Sequence, residues 1–341
     1  MGFSRFKQYG QNKIFEMNYL VLGATGFIGR HIVNELLRRR RPVTILTRRT
    51  DSILHFKAKN IRVVLGDLLN MDSLLFALTG VEIVIHSAAY VSDWGPRRLF
   101  LETNVDGTGN LLKVCLNTDI KRLVYISTYD VFNFRSHLIS EETAKMIKSH
   151  PYPYSKLLAE NLVWKYKEEY NLPITVIYPP WVYGPGDRHL LPEIVKALKK
   201  KRLFYFSDKG NNYIELCYVT NLARAVVDLS ETDIAVGESY VVSDGTRVTF
   251  RQFVERIAEL TNLEKPKLSL PYPISYGIAY FLEILYKIFR MKCRPVITRN
   301  AVELLGRSPL CDTTKLQRLG FKPKAIPFDE GLRNAVADLR L

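Results

Sequence analysis

The chain has 341 residues, 47% of them apolar and 24% charged. That balance excludes a wholly disordered or low-complexity protein, and the length suits two lobes at roughly 100–200 residues each. Lys and Arg outnumber Asp and Glu by 49 to 34, a net charge of +15, which favours anionic partners without choosing among them.

Residues 1–17, MGFSRFKQYGQNKIFEM, lack the apolar core of a secretory signal and read as a basic N-terminal extension. From 18 to 180, short runs rich in Val, Ile and Leu (19–22, 43–46, 61–65, 82–86, 122–127 and 174–178) alternate with helical stretches at 28–39, 73–78, 107–116 and 154–170. Strands this apolar are buried on both faces, so the alternation predicts a Rossmann-like, doubly wound parallel sheet that binds a dinucleotide. After residue 180 the rhythm breaks down. Strands near 203–206, 214–219 and 239–242 mix with helices near 191–200, 221–229 and 250–260, which predicts a smaller substrate-binding lobe over 181–341, with some segments returning to the core.

The run Gly23-Ala-Thr-Gly26-Phe-Ile-Gly29 follows the first strand and opens the first helix. Glycines at this spacing permit a tight turn, close approach of a pyrophosphate, and close packing of helix on strand. The helix N-terminus then presents free N–H groups to the phosphates. Gly23, Thr25, Gly26, Phe27, Ile28 and Gly29 form the expected cradle. The second strand ends in Thr47-Arg48-Arg49, where an NAD site usually carries an acid, about 20 residues beyond the glycines. Guanidinium groups suit a 2′-phosphate instead, so NADP(H) is favoured over NAD(H). Asp67 with Leu68, after the third strand, is placed either to accept from the adenine amino group or to cap the next helix.

Tyr152-Pro-Tyr-Ser-Lys156 puts a phenol and an ammonium on one helix face, at i and i+4. A phenol titrates near 10, and a nearby cation lowers that value; three units would take about 4 kcal/mol. Tyr154 has no lysine at i+4. The fifth strand ends in Ser127-Thr128, and a hydroxyl there points into the ligand crevice of a parallel sheet.

With these motifs on the page, the chain resembles the extended short-chain dehydrogenases/reductases. The resemblance also rests on Gly66-Asp67, His86-Ser-Ala-Ala89, Asn104-Val-x-Gly-Thr108 and Pro179-Pro-Trp-Val-Tyr-Gly-Pro-Gly186. It implies Thr128, Tyr152, Lys156 and Asn104 as the catalytic set, and Ala88, Ala89, Pro179 and Val182 as cofactor-lining residues. Two positions depart from the family pattern. Tyr178 stands where Arg is frequent, which puts the support of that loop in question. The segment 213–221 lacks the arginine that nucleotide-sugar epimerases carry. Tyr218-Val-x-Asn-Leu-Ala223, Tyr240-x-x-Ser-Asp-Gly245 and Leu319-Gly-Phe-x-Pro323 are similar instead to the 3β-hydroxysteroid and sterol-4-carboxylate dehydrogenase branch. The resemblance implies hydride transfer to or from a 3-oxo or 3-hydroxy group of an apolar sterol-like or lipid substrate, and a homodimer is usual for the family. A nucleotide-sugar epimerase/dehydratase is the rival enzyme, and a non-catalytic NADP-sensing protein the rival of another class.

The stretch 274–289, ISYGIAYFLEILYKIF, reads as a membrane-surface helix, a lid or a plain core helix; residues 274–290 are the expected site of any peripheral membrane contact. No run is apolar and long enough for a conventional transmembrane span. The basic runs 38–41 and 199–202 fall at helix C-termini, where cations complement the dipole. They carry no interleaved aromatics, so nucleic-acid binding is not expected. The histidines show no ligand spacing, so no metal is expected. Cys115, Cys217, Cys293 and Cys311 form no CxxC pair, which suits a reducing, cytoplasmic setting.

Overall fold

A computed structural model describes residues 17–48, 61–206, 208–289, 291, 293–307, 309–323 and 326–339. The N-terminal extension, apart from Met17, and Arg49 lie outside the described residues.

The first half runs β1 (Tyr19–Leu22), α1 (Phe27–Arg38), β2 (Val43–Thr47), β3 (Ile61–Leu65), α2 (Met71–Leu78), β4 (Ile83–His86), α3 (Arg97–Phe100), α4 (Gly107–Cys115), β5 (Arg122–Ile126), β6 (Leu138–Ile139), α5 (Pro151–Tyr170) and β7 (Ile174–Tyr178). The second half runs β8 (Trp181–Tyr183), α6 (Leu190–Lys199), β9 (Tyr205–Phe206), β10 (Tyr213–Ile214), β11 (Leu216–Tyr218), α7 (Val219–Ser230), β12 (Ser239–Val241), β13 (Val248–Thr249), α8 (Phe250–Leu260), β14 (Ser269–Leu270), α9 (Tyr272–Ile288), α10 (Arg299–Arg307), β15 (Leu310–Cys311), α11 (Thr314–Arg318) and α12 (Phe328–Ala337).

Seven parallel strands make the central sheet, in the order β12-β7-β5-β4-β1-β2-β3. Strands β1, β2, β4, β5 and β7 are buried along their whole length, the reason their sequences are unbroken apolar runs rather than alternating ones. The core packs on both faces: Leu20, Val84, Leu123 and Val176 toward α2, α4 and α5, and Val21, Ile45, Ile85 and Ile177 toward α1 and α7. The chain leaves β1 toward β2 on one side, and β4 pairs on the other in the register Leu22↔His86. That reversal opens a crevice at the carboxyl ends of β1 and β4, where open α/β sheets take their ligands.

The basic run after α1 is tied down locally. Arg39 pairs with Glu35, Asp228 and Glu231, and Arg41 with Glu231, so these charges join α1 to α7.

A separate apolar cluster, including Tyr183, Leu191, Phe250, Phe253 and Leu332, organises the rest. Helix α9 is amphipathic in an unusual sense. Ser275, Ala279 and Glu283 face inward, Glu283 holding Arg299 through its guanidinium at 2.9 Å and its backbone N–H at 2.8 Å. Ile274, Ile278, Phe281 and Ile288 are exposed. A plain core helix would bury them, so that alternative is set aside. No helix among the described residues is long and apolar enough to cross a membrane.

Candidate active site

The cradle forms where β1 meets α1. Gly23 has φ +81, the left-handed region that favours glycine. A Cβ there would lie 2.7 Å from the backbone N and Cα of Ala88. At Gly29 a Cβ would lie 2.1 Å from the carbonyl oxygen of Gly23. The turn, the β4 loop and the helix therefore close only without side chains. Gly26 caps α1 with no side-chain hydrogen bond of its own, which leaves the first-turn N–H groups to a ligand. Thr25, Phe27 and Ile28 complete the loop, and Phe27 packs edge-on against His31. These features fit a dinucleotide pyrophosphate.

Around the cradle, Asp67 Oδ1 accepts from the Leu69 N–H at 2.9 Å, and Asn70 rather than Asp67 caps α2, accepting from Ser73 N–H at 2.9 Å. The capping alternative for Asp67 is thereby corrected: the cap falls three residues later. Leu68 is buried. Arg48 follows β2 with its side chain 78% exposed, 3.6 Å from Asp67 Oδ2. Ala89 follows Ala88 in the β4 loop, the Pro179 carbonyl accepts from Tyr129 N–H at 3.1 Å, and Val182 lies in β8 against the core.

Helix α5 begins at Pro151, which needs no N–H partner at the first helical position, and His150 Nδ1 accepts from Tyr152 N–H at 3.2 Å. Burial and then the charge of Asp130 hold the Tyr152 phenol above its ordinary value, with the neighbouring Thr128 hydroxyl opposing. Lys156, one turn on, is buried. Its Nζ donates to the Ile126 carbonyl at 2.7 Å and lies 4.2 Å from the centre of the Tyr125 ring. Burial pushes it down to about 7, against the pull of Glu160. In the chain alone the Lys156 ammonium is engaged by Ile126 and Tyr125.

Asn104 sits in a six-residue π-helical turn, Leu101–Asp106. Its Oδ1 accepts from Tyr90 N–H at 2.7 Å, and its Nδ2 donates to Ser155 Oγ at 2.9 Å. Ser155 in turn donates to the Tyr152 carbonyl at 2.8 Å. Asn104 thus reaches Tyr152 through Ser155 and its backbone. Thr108 donates to the Asn104 carbonyl at 2.6 Å and stands 3.0 Å from His86 Nε2. With the threonine proton committed, His86 must be the donor, so the proton resides on Nε2. Burial pushes this imidazole down to about 3.

Glu160, one turn beyond Lys156, is fully buried. It accepts from Ser127 Oγ at 2.6 Å, Tyr178 Oη at 2.6 Å and Trp164 Nε1 at 3.2 Å, and it pairs with Lys145. At the Tyr178 departure, the phenol donates to Glu160 and Lys145 supplies a positive charge to the same carboxylate. Ser155, Glu160 and Lys145 escaped sequence reasoning, although Ser155 lies inside the Tyr152–Lys156 motif. No group of three or more His, Cys, Asp or Glu residues among the described residues could hold a metal ion.

This glycine cradle at the sheet crevice, with a paired Thr–Tyr and a buried lysine beside it, defines a nicotinamide-dinucleotide enzyme class. The chain belongs to the NAD dependent epimerase/dehydratase family, whose model matches residues 19–243. It is 28% identical over 346 residues to a 3beta-hydroxysteroid-dehydrogenase/decarboxylase of Arabidopsis thaliana, covering 93% of this chain and 78% of that one. It is 26% identical to a 2-alkyl-3-oxoalkanoate reductase of Stenotrophomonas maltophilia, covering 94% and 99% of the two chains. In fold it is similar to UDP-glucuronic acid 4-epimerase from Bacillus cereus, solved with NAD, with a TM-score of 0.76, 22% identity and coverage of 94% and 98%.

Proposed function

We propose that the protein is an NAD(P)(H)-dependent oxidoreductase that exchanges hydride with a 3-oxo or 3-hydroxy carbon of an apolar sterol-like or lipid substrate. The observation that carries this reading is the Tyr152 phenol on α5, one turn from the buried Lys156 and beside the Thr128 hydroxyl that follows β5. The two curated relatives, by name, act on a 3-hydroxysteroid and a 3-oxoalkanoate, both oxygenated at carbon 3 of an apolar skeleton.

When bound, the nicotinamide supplies or takes up the hydride. Tyr152, held protonated by burial, donates its proton to the substrate oxygen in the reducing direction, and Thr128 orients that oxygen through its hydroxyl. Lys156 would hold the ribose hydroxyls. Asn104 fixes the start of α5 through Ser155 and so sets where Tyr152 points. Gly23, Thr25, Gly26, Phe27, Ile28 and Gly29 would hold the pyrophosphate, Asp67 and Leu68 the adenine, and Ala88, Ala89, Pro179 and Val182 the remaining wall.

The exposed Arg48 supports NADP(H) over NAD(H), since a largely solvent-exposed guanidinium just after β2 is placed for a 2′-phosphate. The apolar outer face of α9 supports peripheral membrane contact through residues 274–290. Flotation with anionic vesicles, lost in Ile278→Glu and Phe281→Glu, tests that contact. Sedimentation of the same variants tests the homodimer.

The deciding experiment follows reduced-nicotinamide absorbance with NADPH or NADH against a panel of apolar 3-ketones, with UDP- and dTDP-sugars beside them. Tyr152-dependent oxidation of NADPH by a lipid ketone is the expected result. Full activity in Tyr152→Phe overturns the reading, and conversion of a sugar nucleotide without ketone reduction replaces it with the epimerase.

A further inference from the structure

His150 stands two residues before Tyr152 and uses both nitrogens of its ring. The Tyr152 N–H donates to Nδ1 at 3.2 Å, so Nδ1 carries no proton and Nε2 is the donor. Nε2 donates in turn to the Asp93 carbonyl at 3.0 Å. The imidazole is only 10% exposed and packs edge-on against the buried Phe100 ring. It joins the first turn of α5 to the loop between β4 and α3, 57 positions away. Capping alone does not account for a histidine here. Asn, Asp, Ser and Thr are the preferred caps, and each supplies the acceptor with a shorter side chain. What the ring adds is Nε2 and its bond to Asp93.

The same loop is anchored on other sides. Asn104 accepts from the Tyr90 N–H at 2.7 Å and donates to the Tyr90 carbonyl at 3.2 Å. The Asp93 carboxylate takes Arg294 at 2.5 Å, Thr298 Oγ1 at 3.2 Å and Asn300 Nδ2 at 3.4 Å. Thr298 and Asn300 are buried. Arg294 also reaches Glu193 of α6 at 2.9 Å, and Trp94 meets Tyr286 of α9 edge-on, 6.2 Å between ring centres. Asp93 holds His150 with its backbone and the α9–α10 connection with its side chain.

We infer that His150 is a positioning residue for Tyr152, and that Asp93 is the joint through which the α9–α10 connection fixes the same tyrosine. Ile297 and Val302, on either side of that connection, pack in the apolar cluster outside the central sheet. The place of the phenol therefore depends on how that lobe is docked. The inference rests on the oxidoreductase reading, in which Tyr152 exchanges a proton with the substrate. Misplacing a reacting group costs rate rather than cofactor affinity, so kcat carries the effect.

The test follows NAD(P)H-dependent ketone reduction, with urea melts, in wild type, His150→Asn, His150→Gln, Asp93→Asn and the double variant His150→Asn/Asp93→Asn. His150→Asn keeps the cap acceptor but is too short for the Asp93 carbonyl. It should be as stable as wild type, with kcat lower by about 3- to 10-fold, the range for one neutral hydrogen bond, and KM for the cofactor unchanged. His150→Gln places an amide N–H where Nε2 stands and gives up the favoured cap. It should be less stable than His150→Asn yet turn over faster, a reversed order that a purely structural role does not produce. Asp93→Asn keeps the carbonyl but loses the charge that holds Arg294, and kcat should fall. The double variant should match His150→Asn, since the two changes break one connection. Full kcat in His150→Asn, or kcat that simply tracks stability across the variants, overturns the positioning role. Losses that multiply in the double variant overturn the joint at Asp93. Either result leaves the oxidoreductase intact. Ketone reduction that is absent from wild type, or independent of Tyr152, overturns both.

Discussion

The Tyr178 hydroxyl donates to Glu160 Oε1 at 2.6 Å from the end of β7 to the middle of α5, one turn past Lys156. A fully buried carboxylate of this kind persists only with charge and hydrogen-bond compensation, and Lys145 provides the charge. Lys145→Met should lower stability by about 3 kcal/mol, since it strands the carboxylate, and Tyr178→Phe by about 1.5–3 kcal/mol. Adding Glu160→Gln to Lys145→Met should recover much of the loss, because a neutral amide needs no counter-charge. Urea melts of the four proteins check the order; a double variant less stable than Lys145→Met would refute the pairing.

Gly29 and Gly109 both lie in helices, with opposite surroundings. A Cβ at Gly29 meets the Gly23 carbonyl at 2.1 Å, whereas one at Gly109 meets nothing nearer than Leu162 Cδ1 at 3.9 Å. Gly29→Ala should destabilise by at least about 1–3 kcal/mol through overpacking and weaken cofactor binding by distorting the cradle. Gly109→Ala should be neutral or stabilising by up to about 1 kcal/mol, from helix propensity. Calorimetric titration with NADP(H), alongside thermal melts, separates the two effects.

Arg48 bears on cofactor choice. Its exposed side chain contributes little to folding, so Arg48→Ala should leave the melting temperature unchanged. The KM for NADPH should rise about 10- to 100-fold, the range for a hydrogen bond to a charged group, with little change for NADH. An equal effect on both cofactors would remove the 2′-phosphate role.

His86 makes stability pH-dependent. Its imidazole is held down to about 3 by burial, against about 6.5 when unfolded. Between these values the unfolded chain binds the extra proton, so stability rises with pH across that window. The contribution is complete above about 6.5 and is lost as pH falls toward 3, amounting to about 3–5 kcal/mol. Denaturant melts at pH 7, 5.5 and 4.5 should show that loss, with a shallower slope in His86→Gln.

The sheet was legible because β1, β2, β4, β5 and β7 are buried on both faces, and such strands must be written as continuous apolar runs. The glycine cradle was legible because Gly23, Gly26 and Gly29 act within one turn and one helix, where spacing alone carries geometry. Tyr152 and Lys156 share a helix face for the same reason. Long-range contacts leave no such local signature. Asn104 meets Ser155 across 51 positions, and Ser127 meets Glu160 across 33, so only the tertiary structure could show that Tyr178 and Lys145 converge on Glu160. Desolvation likewise belongs to the folded molecule. Its raising of the Tyr152 phenol and lowering of the Lys156 ammonium, and the unpartnered oxygen of Asp130, follow from how the chain encloses these groups, a property that residue type and spacing do not encode.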